Sequence, residues 1–389
     1  MVDTSYRPET TRHALMWFYA ACVGAIAGLP FLGPILVESG FSKRETALLF
    51  LIFPMCKLIV APFIGALSDR IGKTAQLLAA SALLASVGAL ALMVSPLAGL
   101  LILGLTLLAL GETSLFPLGD ALTLRLLGQE KHEYGRIRSI GSATLIVLVL
   151  IVGWLGGQDN GRILLLPTVI GFAITAFISL RLPVAPPLSS APADTRGSML
   201  QVWHSPGIPM LVLIAILHGM TFTAYDKLFT LHVVHKGFPL WIGGAGFATG
   251  IAGETLVLWF GRAILRHWGI RKTLILGVAV GVVRWTLTAW TEDAFVLVAT
   301  QFLHGGSFAL YWIAGLMLFT ERAPAHLGST AQAIFQGATL GAGQLLAMGG
   351  AAVLLPIGDT PLVFYTLGGI SLGTTLLCWV GLPSSQEDP

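Results

Sequence analysis

Apolar runs of about twenty residues recur along the whole chain, and they constrain the fold more than any other feature of the sequence. A helix of that length crosses a hydrocarbon layer of about 30 Å, and a backbone that faces lipid must satisfy its hydrogen bonds within its own segment. The chain is 55% hydrophobic and only 11% charged, whereas an average soluble domain is roughly 25% charged. The sequence therefore predicts an all-α membrane protein.

The spans and their orientation follow from the connectors between these runs. Breaking the runs at charged or Pro/Gly-rich connectors predicts twelve transmembrane helices, at roughly 14–36, 45–66, 75–94, 98–122, 137–156, 162–182, 208–233, 239–262, 273–290, 294–320, 328–355 and 360–382. Most connector Lys and Arg residues fall on one side, which by the positive-inside rule places both termini in the cytoplasm. We expect a multi-pass protein of the cytoplasmic membrane.

A polar connector in the middle of the chain predicts the domain organisation. It is rich in Pro and Ser, a composition that cannot bury enough apolar surface to fold alone. We therefore expect an N-terminal six-helix bundle at 1–182, a cytoplasmic linker at 183–207 and a C-terminal six-helix bundle at 208–389. The two bundles are expected to be pseudo-symmetric parallel repeats.

Charged side chains within the predicted spans are the main candidates for function. Each costs roughly 2.5–3.5 kcal/mol at a helix centre on insertion scales, so we expect these residues to face one another or an internal cavity. They are Lys57, Glu112, Asp120, Asp226, Lys227, Glu254 and Arg284. Lys57 and Glu112 fall at similar depths and predict an ion pair, which either takes part in substrate binding or gating or only fixes helix register.

Three residues of the C-terminal half also fall at one depth, on three different spans. A carboxyl group near a guanidinium can load or release a proton when the distance between them changes. Glu254, Arg284 and His304 are therefore predicted to form a proton-coupling network. Asp226 is a secondary candidate for a proton site, and its neighbour Lys227 is interpreted as extending towards the membrane interface.

One connector carries a family signature. The stretch Gly65-Ala66-Leu67-Ser68-Asp69-Arg70-Ile71-Gly72-Lys73, between the second and third spans, resembles the loop motif of the major facilitator superfamily. The resemblance implies two six-helix bundles that carry a solute by alternating access. It also implies a gating loop in which Gly65, Asp69, Arg70, Gly72 and Lys73 act as a conformational latch.

A closer resemblance is to the branch that contains the phenylpropionate permeases and lactose permease. It is carried by Asp120 with Arg138 in Tyr134-Gly135-Arg136-Ile137-Arg138, and by Glu254, Arg284 and His304. The lactose permease pattern has a second glutamate one turn after the histidine, where this chain has Ser307. The proton chemistry must therefore be rearranged, or carried by Glu254 or another acid.

This resemblance implies proton symport of a small organic solute, with an aromatic carboxylate such as a phenylpropionate as the first expectation. Arg284 or Arg138 would pair with the carboxylate, Glu254 would exchange the proton and His304 would orient the network. The predicted substrate-binding residues are Asp120, Arg138, Arg284, Lys57, Glu112, Tyr225, Trp285 and Tyr311, the aromatic ones because they can stack on a ring. Sugar or nucleoside symport, and efflux by the same fold, are the alternatives.

Other classes of function are disfavoured by missing motifs. The sequence contains no HExxH, GxSxG or Walker loop and no histidine–acid metal cluster, so we expect no enzyme, no metal site and no cofactor. The three cysteines are odd in number and lie in apolar runs, which argues against a disulfide framework. The expected partners are a solute, protons and the lipid bilayer, with no nucleic acid, and the protein is expected to be a monomer.

Overall fold

A computed structural model of the chain describes residues 8–156, 161–183 and 195–382, and every regular element in these ranges is a helix. The prediction of an all-α membrane protein is confirmed. Within these ranges, ten helices are long and apolar enough to cross a membrane. In chain order, α1 to α10, they are Glu9–Glu38, Lys43–Ser68, Thr74–Val94, Ala98–Glu130, Tyr134–Leu155, Gly161–Ser179, Ile208–His235, Leu240–Trp290, Ala294–Arg322 and Thr330–Gly381. A shorter helix covers Thr195–Trp203.

Two of the ten helices are unusually long and each is interrupted. Helix α8 has 51 residues and α10 has 52. The backbone of α8 breaks at Gly269, whose φ of 73° is readily adopted only by glycine, and that of α10 breaks at Gly358 and Asp359. Each break divides its helix into two arms, which correspond to separate predicted spans. The count of twelve spans therefore stays a prediction.

The chain divides into two compact units. The first comprises residues 1–41 and 55–190, and the second comprises residues 42–54 and 191–389. The change of unit near residue 190 falls within the predicted linker 183–207, of which residues 184–194 lie outside the described part. The division at 182 and 208 stays a prediction. The segment 42–54, which includes the start of α2, groups with the second unit.

Local hydrogen bonds and an ion pair hold that segment within the second unit. Ser42 and Glu45 form a capping box, in which Ser42 Oγ accepts from the Glu45 N–H at 3.2 Å and Glu45 Oε2 accepts from the Ser42 N–H at 2.8 Å. Lys43 Nζ lies 2.5 Å from Asp359 Oδ2 at the break of α10. His235 Nδ1 at the end of α7 lies 3.3 Å from the same oxygen. These contacts join α2, α7 and α10.

Close packing of α8 and α9 positions the charged residues of the second unit. A Cβ atom at Gly253 would overlap the Phe302 carbonyl, and one at Gly305 would overlap the Gly253 carbonyl. Glycine at both positions lets the two backbones touch. Glu254 follows the first glycine and His304 precedes the second, so the helix contact places these two side chains beside each other.

Two helices contain π-helical segments, at Gly305–Leu310 in α9 and Gly337–Gly343 in α10. A π-helical turn holds one more residue than an α-helical turn, and such turns occur frequently at functional sites. The segment in α9 begins directly after His304.

Candidate functional site

Arg284 is the centre of a polar cluster buried in the second unit. Its side chain lies on α8 and the residue is 0% exposed. Arg284 Nε and Nη2 donate to Gln301 Oε1 at 3.3 and 3.0 Å, and Nη1 donates to Ser307 Oγ at 3.0 Å. Nη1 also lies 2.8 Å from His304 Nδ1. The hydrogen bonds thus tie the guanidinium of α8 to three neutral side chains of α9.

Aromatic rings complete the surroundings of this guanidinium. Its Cζ atom lies 4.2 Å from the Tyr225 ring centroid and 4.1 Å from that of Trp285. These ring faces stabilise the positive charge, and cation–π contacts of this kind gain strength in a buried environment.

The contact with Arg284 determines the tautomer of His304. A guanidinium has only N–H donors, so the His304 Nδ1 atom must be the acceptor and carries no proton. The ring proton then lies on Nε2, which is 3.6 Å from Glu254 Oε2. The predicted network of Glu254, His304 and Arg284 is thus assembled in the structure, in that order, with the histidine between the two charges.

Glu254 is the accessible member of the network. Its side chain is 28% exposed, whereas Arg284 is fully buried and the His304 side chain is 10% exposed. The His304 ring also stacks on Phe308, with centroids 5.1 Å apart. Glu254 is therefore the member of the cluster whose side chain is most exposed.

The three predicted aromatic residues are placed around this cluster and are almost fully buried. Tyr225, Trp285 and Tyr311 are 2%, 0% and 1% exposed. Tyr225 OH donates to the Gly246 carbonyl at 3.4 Å, and Tyr311 OH is 2.8 Å from Thr339 Oγ1. In this conformation their rings pack within the unit. Their predicted contact with a substrate stays a prediction.

A second cluster lies in the first unit, where the structure brings Asp120 of α4 and Arg138 of α5 together. Arg138 Nε is 3.6 Å from Asp120 Oδ1, and Tyr19 OH of α1 donates to the same oxygen at 2.7 Å. The Arg138 side chain is 43% exposed and the Asp120 side chain 29%. This cluster presents both a hydrogen-bond acceptor and charged donors at an accessible surface.

The predicted ion pair of Lys57 and Glu112 does not form in the structure. Neither residue has an ion-pair partner within 4.0 Å among the described residues, and Glu112 Oε2 is buried without a hydrogen-bond partner. Equal depth along two helices does not fix the direction in which each side chain points, which is why the prediction was wrong. Lys57 is left as a half-buried ammonium group in the first unit.

Asp226 and Lys227 diverge on α7, as adjacent helical residues must. Both are half-buried. Lys227 Nζ lies 4.0 Å from the centroid of the Phe53 ring, in the segment of α2 that belongs to the second unit. Lys227 therefore makes a cation–π contact with Phe53. The role of Asp226 as a secondary proton site stays a prediction.

The motif loop is partly described. The helix that begins at Ile52 ends at Ile71, and Gly72 follows it with a φ of 67°, a left-handed conformation that suits glycine at a helix C-terminus. Arg70 and Lys73 are exposed and make no ion pair within the described residues. The Asp69 side chain lies outside the described part, and a Cβ atom at Gly65 would meet open space. The role of this loop as a latch stays a prediction.

Two residues of the Arg284 cluster were missed as ligands of the guanidinium. Gln301 lies three residues before His304, and Ser307 lies three after it, so both share a helix face with the histidine. That spacing is a signal in the sequence that could have identified them. Within the described residues no group of three or more His, Cys, Asp or Glu is suited to hold a metal ion.

Comparison with known proteins identifies the family. The profile of the MFS_1 like family matches residues 12–353. The chain belongs to this family. A maltose permease of Geobacillus stearothermophilus is 24% identical over 290 residues, which cover 75% of this chain and 73% of the permease. A protein of Escherichia coli K12 described as a probable 3-phenylpropionic acid transporter is 24% identical over 297 residues, which cover 73% of this chain and 76% of that protein.

Solved structures of transporters share the fold of this MFS_1-like protein. The crystal structure of the nucleoside transporter NupG superposes with a TM-score of 0.83 at 14% identity, covering 96% of this chain and 99% of that one. These comparisons, together with the ten apolar helices, show a multi-pass membrane transporter of the major facilitator type and not an enzyme.

Replacing Gln301 by Leu should destabilise the protein. The change removes the acceptor of two Arg284 N–H groups in a buried cluster, and a hydrogen bond to a charged group contributes about 1.5–3 kcal/mol. Thermal unfolding can be followed by a thiol-reactive dye, because Cys22, Cys56 and Cys378 are buried and free in the folded protein. Gln336→Leu is the matched control, since Gln336 is exposed. Equal melting temperatures of the two variants would contradict the assigned role of Gln301.

Proposed function

We propose that the protein is a proton-coupled symporter of a small organic solute, with an aromatic carboxylate as the first choice, working by alternating access. The observation that carries this proposal is the buried Arg284, whose Nη1 atom lies 2.8 Å from His304 Nδ1, while His304 Nε2 lies 3.6 Å from the more exposed Glu254. A carboxylate that faces an imidazole N–H held in place by a fixed positive charge is a suitable group for reversible proton loading.

Glu254 is the residue that we assign to proton exchange. His304 cannot take a second proton while its Nδ1 atom accepts from Arg284, so protonation of the cluster must occur on the carboxylate. A proton on Glu254 cancels the negative charge that faces the His304 N–H, and the Arg284 charge then lacks that compensation. This change in local charge is the means by which proton loading would bias the conformation of the transporter.

The substrate carboxylate is assigned to the cations of the first unit. Arg284 is fully buried and its N–H groups are engaged by neutral partners, so it supports the proton site instead of contacting the solute. Lys57 is half-buried without a carboxylate partner among the described residues, and Arg138 is accessible beside Asp120. The relative described as a probable 3-phenylpropionic acid transporter supports an aromatic acid.

A sugar or nucleoside is the second candidate for the solute. Asp120, Tyr19 and Arg138 together offer an accepting carboxylate and donating groups, a combination that suits hydroxyl groups. The maltose permease among the relatives supports this alternative. Efflux by the same chemistry would reverse the direction of solute movement relative to the proton gradient.

The proposal also includes the orientation of the protein in the membrane. The distribution of Lys and Arg among the connectors supports a protein of the cytoplasmic membrane with both termini inside. Arg70 and Lys73, exposed beside Gly72, are free to pair with acidic groups in another conformation, which supports a latch role for the motif loop. We propose that the monomer is the transporting unit.

Glu254→Gln should abolish uphill accumulation and spare counterflow. The amide keeps the shape of the side chain but cannot exchange a proton, so solute movement loses its link to the gradient. The measurement is uptake of labelled 3-phenylpropionate, with maltose and uridine as the alternative probes, into proteoliposomes under an imposed pH gradient.

The control variant is Glu292→Gln, which removes an exposed acid that pairs with Lys236 outside the cluster. It should accumulate solute as the unmodified protein does. Uphill accumulation by Glu254→Gln would exclude Glu254 from the proton role. Accumulation that runs only against the direction of proton flow would identify an efflux transporter.

Lys57→Gln should weaken binding of a carboxylate solute far more than binding of its amide analogue. Loss of a charge pair should lower the apparent affinity for the acid by roughly tenfold or more, which corresponds to about 1.4 kcal/mol. Competition by 3-phenylpropionate and by 3-phenylpropionamide measures the difference, and Lys272→Gln is the control because Lys272 is exposed on α8. Equal losses for acid and amide would show that Lys57 does not bind the carboxylate.

A further inference from the structure

His218 is a buried histidine of α7 to which the proposed transport mechanism gives no role. It is 0% exposed, and its Nε2 atom lies 2.6 Å from the carbonyl oxygen of Ser307 on α9. A carbonyl only accepts, so Nε2 carries the ring proton and Nδ1 carries none. Nδ1 has no hydrogen-bond partner among the described residues. The bond to the Ser307 carbonyl is therefore the hydrogen bond by which the His218 ring connects α7 to α9.

The Ser307 carbonyl lies in the π-helical segment of α9, where the backbone hydrogen bonds differ from those of an α-helix. In an α-helix the N–H of Tyr311 would donate to Ser307 O, four residues earlier. Here the Tyr311 N–H donates instead to the carbonyl of Phe308. The Ser307 carbonyl therefore does not accept from the Tyr311 N–H, its usual donor in an α-helix. His218 supplies a donor to this carbonyl from a neighbouring helix, and the bond fixes the position of the turn.

Ser307 connects this backbone bond to the charged cluster. Its carbonyl accepts from His218, while its hydroxyl oxygen accepts from Arg284 Nη1 at 3.0 Å. The same Nη1 atom lies 2.8 Å from His304 Nδ1. A change in the position of Ser307 would therefore alter the contacts that Arg284 Nη1 makes with both Ser307 and His304.

The neighbouring turn of α7 contacts the second π-helical segment as well. Gly219 has no room for a Cβ atom because the Thr339 carbonyl of α10 lies against it. Tyr311 OH is 2.8 Å from Thr339 Oγ1, and the Tyr311 ring packs 4.2 Å from the His218 ring. The pair His218 and Gly219 thus contacts the irregular segments of both α9 and α10.

We propose that His218 is a positioning residue for the proton site: its Nε2–H group holds the π-helical turn of α9 in the register that aims Ser307 and His304 at Arg284. With that register fixed, the His304 Nε2–H faces Glu254. The effect of His218 on transport rests on the proposed function. Its positioning role rests on the contacts between α7 and α9.

Amide substitutions separate the two ring nitrogens of His218. In His218→Gln the amide nitrogen occupies the position of Nε2, because it stands the same number of bonds from the backbone. In His218→Asn it occupies the position of Nδ1 and does not reach the Ser307 carbonyl. His218→Phe keeps the ring against Tyr311 and has no donor. The glutamine variant should resemble the unmodified protein, and the other two should not.

The first readout needs no substrate. Infrared difference spectra of the purified protein are recorded as the pH is changed. The carboxyl band that is lost in Glu254→Gln is assigned to Glu254, and the pH at the midpoint of its titration reports on the proton site. His218→Asn and His218→Phe should move this midpoint by roughly half a pH unit or more, while His218→Gln should leave it in place. An unchanged midpoint in both variants without a donor would overturn the inference, because a residue that only fills space would give that result.

The second readout is a double-mutant cycle on melting temperature between His218→Asn and Ser307→Ala. Contacts within one network give non-additive effects. The decrease in melting temperature of the double variant should therefore be smaller than the sum of the decreases of the two single variants. Additive losses would overturn the inference.

Failure of the proposed function can be told apart from failure of this inference. If the unmodified protein has no titrating Glu254 band, the proposed proton role fails, and the double-mutant cycle still decides whether His218 positions the cluster. If His218→Asn and His218→Phe do not fold, His218→Gln alone is decisive. A loss of stability in His218→Gln, or a shift of its Glu254 pH midpoint, would overturn the inference.

Discussion

A buried guanidinium needs acceptors for its N–H groups and polarisable surfaces for its charge, and this need organises the second unit. Arg284 obtains acceptors from Gln301, His304 and Ser307, all on α9, and ring faces from Tyr225 and Trp285. Because these partners are neutral, the charge remains available to act on the nearest titratable groups. The glycine contact between α8 and α9 and the π-helical turn of α9 both serve to bring these groups within reach.

The direction of the network follows from donor and acceptor chemistry. Arg284 can only donate, so His304 must accept at Nδ1 and present its proton at Nε2, where Glu254 stands 3.6 Å away. The acid is the most exposed of the three residues and the guanidinium is fully buried, so the cluster is layered from solvent to interior. The missing second glutamate at Ser307 fits this arrangement, since the serine hydroxyl is an acceptor for the guanidinium in place of an acid.

The sequence predicts the helical class and the three members of the network because both depend on hydropathy and depth, which a linear pattern records. Depth placed Glu254, Arg284 and His304 together, and the structure assembles them. The same reasoning failed for Lys57 and Glu112, because depth does not fix the rotation of a helix about its axis. Gln301 could have been identified from its spacing of three residues from His304. The role of His218 could not be read from periodicity, since it depends on a π-helical turn of α9 and on a contact between two helices.

The central claim is that His304 is neutral, with its proton on Nε2 and its Nδ1 atom accepting from Arg284. Nitrogen-15 NMR of the histidine-labelled protein in lipid bilayers tests this directly, with the signals of His304 assigned by their loss in His304→Gln. The contact with Arg284 predicts an unprotonated Nδ1 and a protonated Nε2 that persist while Glu254 is titrated. A His304 signal that shows a proton on Nδ1, or an imidazolium that forms as Glu254 is titrated, would contradict it.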